Sequence, residues 1–362
     1  MGGQRVTDLV WGGPLTSTTS AQQAADLARL ALARARDRVT PAMRACTRHL
    51  PPQMATMAGY HFGWLDVHGH ATKAAAGKAL RPALAFACAE AVGGRADDAL
   101  GPGVAVELVH AFSLIHDDII DRDQMRRHRP TVWKAFGVPA ALLAGDALLA
   151  AAHLELTRPS CRRPAACVEV LTQAVLELIE GEATDVAFEK RCDVTLAEYR
   201  VMAAGKTGAL IAAACQLGAL AAGAGPKRAQ RLAGFGHHLG MAFQITDDLL
   251  GIFGDPQTTG KPVGGDLVAR KKTYPVLAAL TARTAAARQL RAFYAAEGAP
   301  RADDVGQAVS LVEQAGGADA ARDAVRQETQ QALAILREAV DVNTAAYRDL
   351  TALADLMSAR TA

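Results

Sequence analysis

Apolar residues recur along most of the chain with the period of an α-helix, about 3.6 residues per turn. The alternation of apolar and polar positions that is typical of half-buried strands does not recur, and runs of β-branched residues are short. The helical pattern covers residues 22–36, 80–93, 104–116, 139–155, 166–180, 208–223, 229–250 and 305–340. It therefore predicts an all-α protein.

Composition favours one domain behind a short tail. The chain has 362 residues, half of them hydrophobic, and its middle contains no low-complexity linker and no strong internal repeat. The first 20 residues are rich in Gly, Thr and Ser, which is typical of a flexible segment. We therefore expect a flexible tail over residues 1–20 and a single all-α domain over residues 21–362.

An apolar stretch runs directly into an aspartate-rich segment, DDIID at residues 117–121. In a helix, Asp117 and Asp121 share a face, whereas Asp118 is rotated by about 100° and can contact a neighbouring group. Like charges on one turn repel each other, and a bound divalent cation removes that conflict. Carboxylates without cysteine suit Mg²⁺ or Mn²⁺, and Mg²⁺ typically takes one or two carboxylates plus substrate phosphates.

A second segment of the same design, FQITDD at residues 243–248, follows later in the chain. Both segments are trailed by cations: Arg126 and Arg127 after the first, and Lys261, Arg270, Lys271 and Lys272 after the second, where Asp266 also lies. Arginine forks bind phosphate oxygens in a bidentate manner, so an arginine pair suits a diphosphate. The repeated pattern predicts one site that holds Mg²⁺ and diphosphate together.

Two further basic segments are weak signals when taken alone. In the segment GKALRP at residues 77–82, Lys78 and Arg81 are expected to share a helix face. Lys206 and Thr207 follow a glycine but do not complete a P-loop, because position 200 is Arg rather than Gly.

Together these segments are much more specific, and the chain resembles the trans-prenyl diphosphate synthases, also called polyprenyl synthetases. The resemblance runs from about residue 77 to residue 275 and keeps the family's order of motifs. The matching segments are GKALRP at 77–82, ELVHAFSLIHDDIID at 107–121, RRHRPT at 126–131, KT at 206–207, FQITDD at 243–248, and GKPVGGDLVARKKTYP at 260–275.

The resemblance implies a single large helical bundle around a central cavity, the isoprenoid synthase type, with the two aspartate motifs facing each other across its mouth. It implies about three Mg²⁺ ions at the substrate diphosphate, with Mn²⁺ as a substitute. The implied metal ligands are Asp117, Asp121 and Asp247, supported by Asp118 and Asp248. Residues implied to hold the allylic diphosphate are Arg126, Lys206, Thr207, Gln244, Lys261 and Lys271, and those implied to hold isopentenyl diphosphate are Lys78, Arg81, His110 and Arg127.

The implied reaction is elongation of an allylic diphosphate (dimethylallyl, geranyl or farnesyl) by isopentenyl diphosphate, through ionisation, condensation and elimination. The absence of a convincing nucleophile–base pair agrees with this chemistry, because Mg²⁺ and cations stabilise the leaving diphosphate. A class I terpene cyclase also uses an aspartate motif, but it does not need the second cation group. A non-catalytic partner subunit or assembly cargo is the third alternative. Such a subunit would be free to lose its first aspartate motif, and here that motif is intact.

Two positions depart from the family pattern. The second motif usually reads DDxxD, but position 251 is Gly, with Asp255 four residues further on. His128 stands where Gly is common. Because the first motif is complete, we expect activity to survive the missing carboxylate.

Product length is predicted from the residues just before the first motif. An aromatic residue five positions before it, Phe112, and a small residue four positions before it, Ser113, resemble the geranylgeranyl-forming type. We therefore predict an all-trans C20 product, with farnesyl or longer chains as alternatives.

Location and partners follow from weaker signals. The N-terminus lacks a signal peptide's apolar core, the uncharged stretch 207–226 is expected to be a buried helix rather than a membrane span, and a cytoplasmic location is expected. The six cysteines form no CxxC pair and are expected to be free. A net charge of +2 gives no case for nucleic acid. A homodimer is expected from the resemblance, and residues 1–20 offer a docking segment for a protein shell or another partner.

Overall fold

The computed structural model describes residues 17–72, 77–158, 161–254, 264–296 and 298–359, without the side chains of residues 17–21. Its helices in chain order are α1 (Ser17–Thr47), α2 (Pro52–His61), α3 (Leu80–Ala91), α4 (Leu100–Ile120), α5 (Val132–Phe136), α6 (Val138–Leu156), α7 (Pro164–Phe188), α8 (Leu196–Ala203), α9 (Ala209–Ala221), α10 (Pro226–Phe253), α11 (Gly265–Val268), α12 (Tyr274–Thr281), α13 (Ala285–Ala295), α14 (Ala302–Gln314), α15 (Gly317–Ala339) and α16 (Ala345–Ser358).

Short elements connect some of these helices. A 3₁₀ turn (Ala96–Ala99) precedes α4, and a π-helical turn (Ala204–Gly208) joins α8 to α9. In the described residues, extended structure is limited to an isolated bridge and one antiparallel pair, β1 (Met125–Arg126) with β2 (Arg129–Pro130). The prediction of an all-α protein is confirmed.

The predicted apolar stretches coincide with helices, with two informative differences. Helix α1 begins at Ser17, so residues 17–20 of the expected tail are helical, while residues 1–16 lie outside the described residues. The stretch 305–340 is two helices rather than one. Gly316 separates them with φ of 81°, a left-handed conformation that glycine adopts without steric cost.

Helix α10 holds the fold together because it contributes to all three apolar clusters. Its first half packs in the main core, where Leu232 and Phe235 are fully buried among α3, α4, α6 and α9. Ile245 belongs to a second cluster with α8, α12 and α15, and Ile252 to a third with α12, α13 and α14. Asp247 and Asp248 of the second motif lie between Ile245 and Ile252 and are therefore fixed from both sides.

Within the described residues, three helical segments are long and apolar enough to span a membrane by length and composition: Ala96–Ile120, Val138–Leu156 and Leu196–Ala221. The first and third are 67% and 61% buried inside the protein over their most apolar windows and carry candidate site residues. The stretch predicted to be a buried core helix is confirmed as one by the burial of α9. The second segment, α6, is only 33% buried. All six cysteines are free, as expected.

Candidate active site

The first aspartate motif stands at the carboxyl end of α4, at the mouth of a cavity of about 970 Å³. Asp117 and Asp121 both line this cavity. Burial raises the pKa of Asp117 to about 7, and the neighbouring carboxylate of Glu182 adds to the shift. A cation bound nearby would stabilise the charged form of this carboxylate.

Asp118 faces away from the other two aspartates, as the helical geometry predicts. Its side chain is 1% exposed and accepts hydrogen bonds from Nε of Arg126 at 2.9 and 3.1 Å. Nη2 of the same arginine lies 2.8 Å from Oδ1. Asp118 therefore orients Arg126, which lines the cavity, and does not itself line it within the described residues.

The second motif divides its two aspartates between different tasks. Asp247 is exposed on α10 and lines the cavity opposite α4. Asp248 is buried, and its carboxylate accepts hydrogen bonds from the Tyr199 hydroxyl (2.6 Å), the Tyr274 amide (2.8 Å) and Nε2 of Gln244 (2.9 Å). Burial raises the pKa of Asp248 to about 7. Asp248 thus fixes the end of α10 at the edge of the cavity, and Asp247 is the more exposed of the two in the cavity wall.

Lys206 projects into the cavity from the π-helical turn. Its Nζ lies 2.6 Å from both Oε2 of Glu182 and Oδ2 of Asp185. Burial alone would lower the pKa of Lys206, but these two carboxylates outweigh burial and raise it. The next residue, Thr207, donates its hydroxyl proton to Oε1 of Gln244 and so ties the turn to α10.

Two glycines bring the π-helical turn against α7. A Cβ atom on Gly181 would lie 2.9 Å from the carbonyl carbon of Gly205, and one on Gly205 would lie 2.5 Å from the carbonyl oxygen of Glu177. Both distances are well below the separation of roughly 3.5 Å at which non-bonded heavy atoms pack. This close approach places Lys206 beside Glu182 and Asp185 of α7.

Lys271 is a further cation on the cavity wall. Its Nζ lies 3.3 Å from Oδ2 of Asp121, so it bridges the segment after α11 to the first motif. Burial opposes its charge, yet Asp121 and further carboxylates raise the pKa of Lys271. Lys261, which was predicted to act beside it, lies outside the described residues.

A second group of cations lies around a half-buried glutamate on α4, Glu107. Burial raises the pKa of Glu107, although Arg81 and Arg127 pull it down. Burial also lowers the pKa of His110 well below its usual range, and Arg81 adds to that shift. Nε of Arg81 is buried and has no hydrogen-bond partner among the described residues, which leaves a donor for an anion.

The expectation that Lys78 and Arg81 share a helix face is wrong. Helix α3 begins at Leu80, and Ala79 before it has φ of 54°, in the left-handed region. The chain therefore turns between the two cations, and only Arg81 is helical. Lys78 is exposed in the segment that leads into α3.

Arg126 and Arg127 are presented by a hairpin rather than by a helix or an open loop. Arg127 and His128 connect β1 to β2 with φ of 50° and 61°. Two-residue hairpin turns of this hand favour glycine or asparagine, so non-glycine residues here carry strain. The turn separates the side chains, and Arg126 lines the main cavity while Arg127 lies near Glu107.

Sequence reasoning missed the carboxylates that hold the cations. Glu182 and Asp185 lie three residues apart on α7, beyond the predicted stretch 166–180. Their only signal was the spacing of three residues between two acidic side chains, on a helix that carries three further glutamates. Glu107 stood inside a matched motif and was not assigned a role. Tyr199 carried no local signal, because its partner Asp248 is 49 residues away.

The donor set fits Mg²⁺, which prefers oxygen ligands. The cavity-facing carboxylates that would hold it are Asp117, Asp121 and Asp247. Over the described ranges, no three Asp, Glu, His or Cys side chains lie close enough to hold an ion by themselves. This agrees with the habit of Mg²⁺ of taking one or two carboxylates and completing its shell with substrate phosphates and water.

Residues 63–312 match the family model of the polyprenyl synthetases, and the chain belongs to that family. It is accordingly a prenyltransferase of the isoprenyl diphosphate synthase class.

Particular relatives agree on the class and differ in product. A geranylgeranyl diphosphate synthase of Mycobacterium tuberculosis is 44% identical over 341 residues, which cover 93% of this chain and 95% of that protein. A (2E,6E)-farnesyl diphosphate synthase of the same species is 46% identical over 286 residues, which cover 78% and 80%. The crystal structure of a polyprenyl synthetase from Streptomyces coelicolor A3(2) matches with a TM-score of 0.86 at 42% identity, over 91% of this chain and 98% of that one.

Proposed function

We propose that the protein joins isopentenyl diphosphate to an allylic diphosphate in a Mg²⁺-dependent reaction. The supporting observation is a single cavity of about 970 Å³ whose walls carry Asp117, Asp121 and Asp247, with a second cation group around Glu107 behind it. A condensation of two diphosphates requires two anion sites. A terpene cyclase requires one, so the unpartnered Nε of Arg81 favours the condensation.

The first step breaks the allylic C–O bond, and the electron pair leaves with the diphosphate. Lys206, Lys271 and Arg126 line the cavity where that negative charge grows, and each is held by a carboxylate. Fixed cations stabilise developing charge without having to reorganise. Mg²⁺ bound by the aspartates supplies further positive charge at the leaving group.

The second step forms a carbon–carbon bond and releases a proton. The alkene of isopentenyl diphosphate attacks the allylic cation. The new cation then loses a proton to the diphosphate released in the first step, which restores a double bond. Arg81, His110 and Arg127 hold the diphosphate of this second substrate in the proposal, with Lys78 at the entrance. Leu114, Ile120 and Met202 line the cavity and limit the water that would otherwise quench the cation.

We propose a C20 product, geranylgeranyl diphosphate, and keep farnesyl and longer diphosphates as alternatives. Phe112 and Ser113 are both buried on α4, upstream of Asp117. The Phe112 ring packs edge-on against His116, with centroids 4.8 Å apart. Relatives named for C15 and for C20 products support the shorter range of lengths without choosing within it.

We propose that the protein acts as a homodimer through α6 and α7. These helices expose large apolar side chains, namely Leu142, Leu143, Leu154, Leu176 and Ile179. Exposed groups of large apolar side chains are typical of interfaces between subunits. Docking through the N-terminal tail and a cytoplasmic location remain predictions.

The test is a product assay. Purified protein is incubated with Mg²⁺, isopentenyl diphosphate and each allylic diphosphate in turn, and product lengths are read by mass spectrometry. A C20 diphosphate that disappears on chelation and returns with Mg²⁺ or Mn²⁺ is the expected result. Elongation that is insensitive to chelation would refute the metal dependence, and a dominant C15 or C25 product would refute the length.

A further inference from the structure

The second aspartate motif lacks a side chain at position 251, and another residue fills the space. A Cβ atom built on Gly251 would lie 2.6 Å from Cγ of Asp266 and closer still to its Oδ2. Non-bonded carbon atoms do not approach within roughly 3.5 Å. The carboxylate of Asp266 therefore occupies the volume into which a side chain at position 251 would project.

Asp266 is held in this place by its backbone. It lies in α11, whose Leu267 is fully buried in the third apolar cluster with Ile252 of α10. The amide of Gly264 donates to the carbonyl oxygen of Ile252 at 3.2 Å, and the amide of Lys271 donates to the carbonyl oxygen of Asp266 at 2.8 Å. These contacts tie the segment to the end of α10, next to the second motif.

The surroundings of Asp266 are those of the metal-binding wall. It lines the same cavity as Asp117, Asp121 and Asp247. Its charge contributes to the raised pKa of Asp248 on α10 and to that of Lys271. A carboxylate in this position borders the same space as the aspartates that would hold Mg²⁺.

We propose that Asp266 supplies the third carboxylate of the second motif in place of a residue at position 251, and that it orders the metal ion held with Asp247. This inference rests on the Mg²⁺ site proposed above. The carboxylate comes from α11 rather than from α10 and reaches the same point in the cavity. Gly251 is then a requirement of the arrangement, because any larger residue would displace Asp266.

The experiment exchanges the positions. Binding of Mg²⁺ in the presence of inorganic diphosphate is measured by calorimetry for the wild type, Asp266→Asn, Asp266→Ala, Gly251→Asp, and the double variant Gly251→Asp/Asp266→Ala. We expect Asp266→Asn to weaken Mg²⁺ binding by about 10- to 100-fold, as the loss of a supporting ligand does. Gly251→Asp alone should also weaken it, because two carboxylates then compete for one space.

The double variant decides the matter. It should bind Mg²⁺ more tightly than Asp266→Ala, since the carboxylate then comes from α10. Thermal melting without metal distinguishes a role in metal binding from a purely structural role. In a purely structural role, Asp266→Asn would lower the melting temperature and leave Mg²⁺ affinity unchanged. That outcome, or a double variant no better than Asp266→Ala, would overturn the inference.

Asp117→Ala separates this inference from the proposed function. If Asp117→Ala binds Mg²⁺ and diphosphate as the wild type does, the metal site itself is misplaced. If Asp117→Ala loses binding while Asp266→Asn retains it, the metal site stands and the role of Asp266 is refuted.

Discussion

Arg126 and Asp118 form a three-contact ion pair at 2.8 to 3.1 Å, with the carboxylate buried and the guanidinium at the cavity wall. The pair means that one aspartate of the first motif binds an arginine rather than a metal ion. It also ties the strained hairpin to the end of α4.

Asp118→Asn should therefore damage catalysis more than stability. The asparagine keeps the shape but loses the charge that orients Arg126, and misplaced binding groups cost about 10- to 100-fold in rate. The free energy of unfolding should change by about 1 kcal/mol or less. Burial raises the pKa of Asp118 despite the hydrogen bonds from Arg126, so the fold already disfavours this charge, and the side chain of Arg126 is 31% exposed and can be solvated when its partner is lost. Steady-state kinetics with the allylic substrate varied and chemical denaturation are the measurements. The exposed pair partner Asp319 supplies the control, Asp319→Asn; equal kinetic effects of the two variants would contradict the role given to Asp118.

Asp117→Ala or Asp121→Ala should lower elongation by about 100-fold or more, since each removes a carboxylate from the proposed metal site. The fold should persist, and circular dichroism would check it. Full activity of either variant in Mg²⁺ would disprove the site.

The apo stability of Asp117→Ala has a distinct pH dependence. The pKa of Asp117 is raised from 3.8 to about 7 in the folded chain, so the folded state holds this proton more tightly than the unfolded state does. The contribution of Asp117 to stability is therefore present below pH 3.8 and is lost as pH rises towards 7. Metal-free melts of the variant should accordingly be equal to or above those of the wild type at pH 8. A gain that is larger at pH 4 than at pH 8 would contradict this sign.

Arg127→Ala should mainly weaken the binding of isopentenyl diphosphate, and Lys206→Ala should mainly weaken the binding of the allylic substrate. The two cations belong to different groups, one near Glu107 and the other beside Asp185. Direct binding of each diphosphate to each variant is the cleaner measurement, because KM is not always a dissociation constant. Equal losses for both substrates in both variants would show that the two groups form one site.

Phe112→Ala should lengthen the product, and Ser113→Phe should shorten it towards C15. The first change removes a buried ring, and the second adds one to the same stretch of α4. Leu114→Ala is the matched comparison, because Leu114 lines the cavity. Product lengths are read by mass spectrometry. If only Leu114→Ala moves the distribution, the length is set by the cavity wall and not by the predicted pair.

Glu328→Gln should destabilise the protein at neutral pH and lose that effect in acid. Glu328 of α15 is buried and pairs with Arg200 of α8, and Nδ1 of His238 on α10 lies 2.7 Å from its Oε2. Burial raises the pKa of Glu328, but the hydrogen bonds from His238 and Arg200 outweigh burial and lower it below 4.5. Its contribution is therefore present above pH 4.5 and is lost as pH falls through the lowered value.

The expected loss at pH 7 is about 1 to 3 kcal/mol, the usual cost of a buried bond to a charged group. Urea denaturation of both proteins at pH 7 and pH 3.5 measures it. A difference that persists unchanged at pH 3.5 would assign the effect to packing rather than to charge.

Local features of this protein were predictable because they depend on neighbouring residues. The helical period marks α3 and α9 within a few residues, and the spacing of Asp117, Asp118 and Asp121 predicts which of them turns away. Prediction of the helix boundaries failed where a single backbone angle determines whether the helix continues. Ala79 and Gly316 each interrupt a helical pattern with a positive φ that the apolar period does not encode.

Contacts between distant segments were beyond prediction from the sequence. Lys206 meets Asp185 because two glycines let α7 approach the turn, and the spacing of Asp185 from Lys206 carries no sign of this. The missing carboxylate at position 251 was visible in the sequence, but its neighbour Asp266 became apparent only when α11 was seen packed against α10. Such relationships depend on packing in three dimensions, which the hydrophobic pattern constrains only loosely.

The π-helical turn at Ala204–Gly208 gives the helix from Leu196 to Ala221 one residue more than a regular α-helix would need. Each residue of an α-helix rotates the side chain direction by about 100°, so the surplus residue resets the register between α8 and α9. Deleting Ala204 would give a more regular helix with better backbone geometry. It would also rotate Lys206 relative to the buried face of α9, so that either Lys206 would leave the cavity wall or the apolar side chains of α9 would leave the core. The π-helical turn therefore allows one continuous helix both to place Lys206 in the cavity wall and to bury the apolar face of α9.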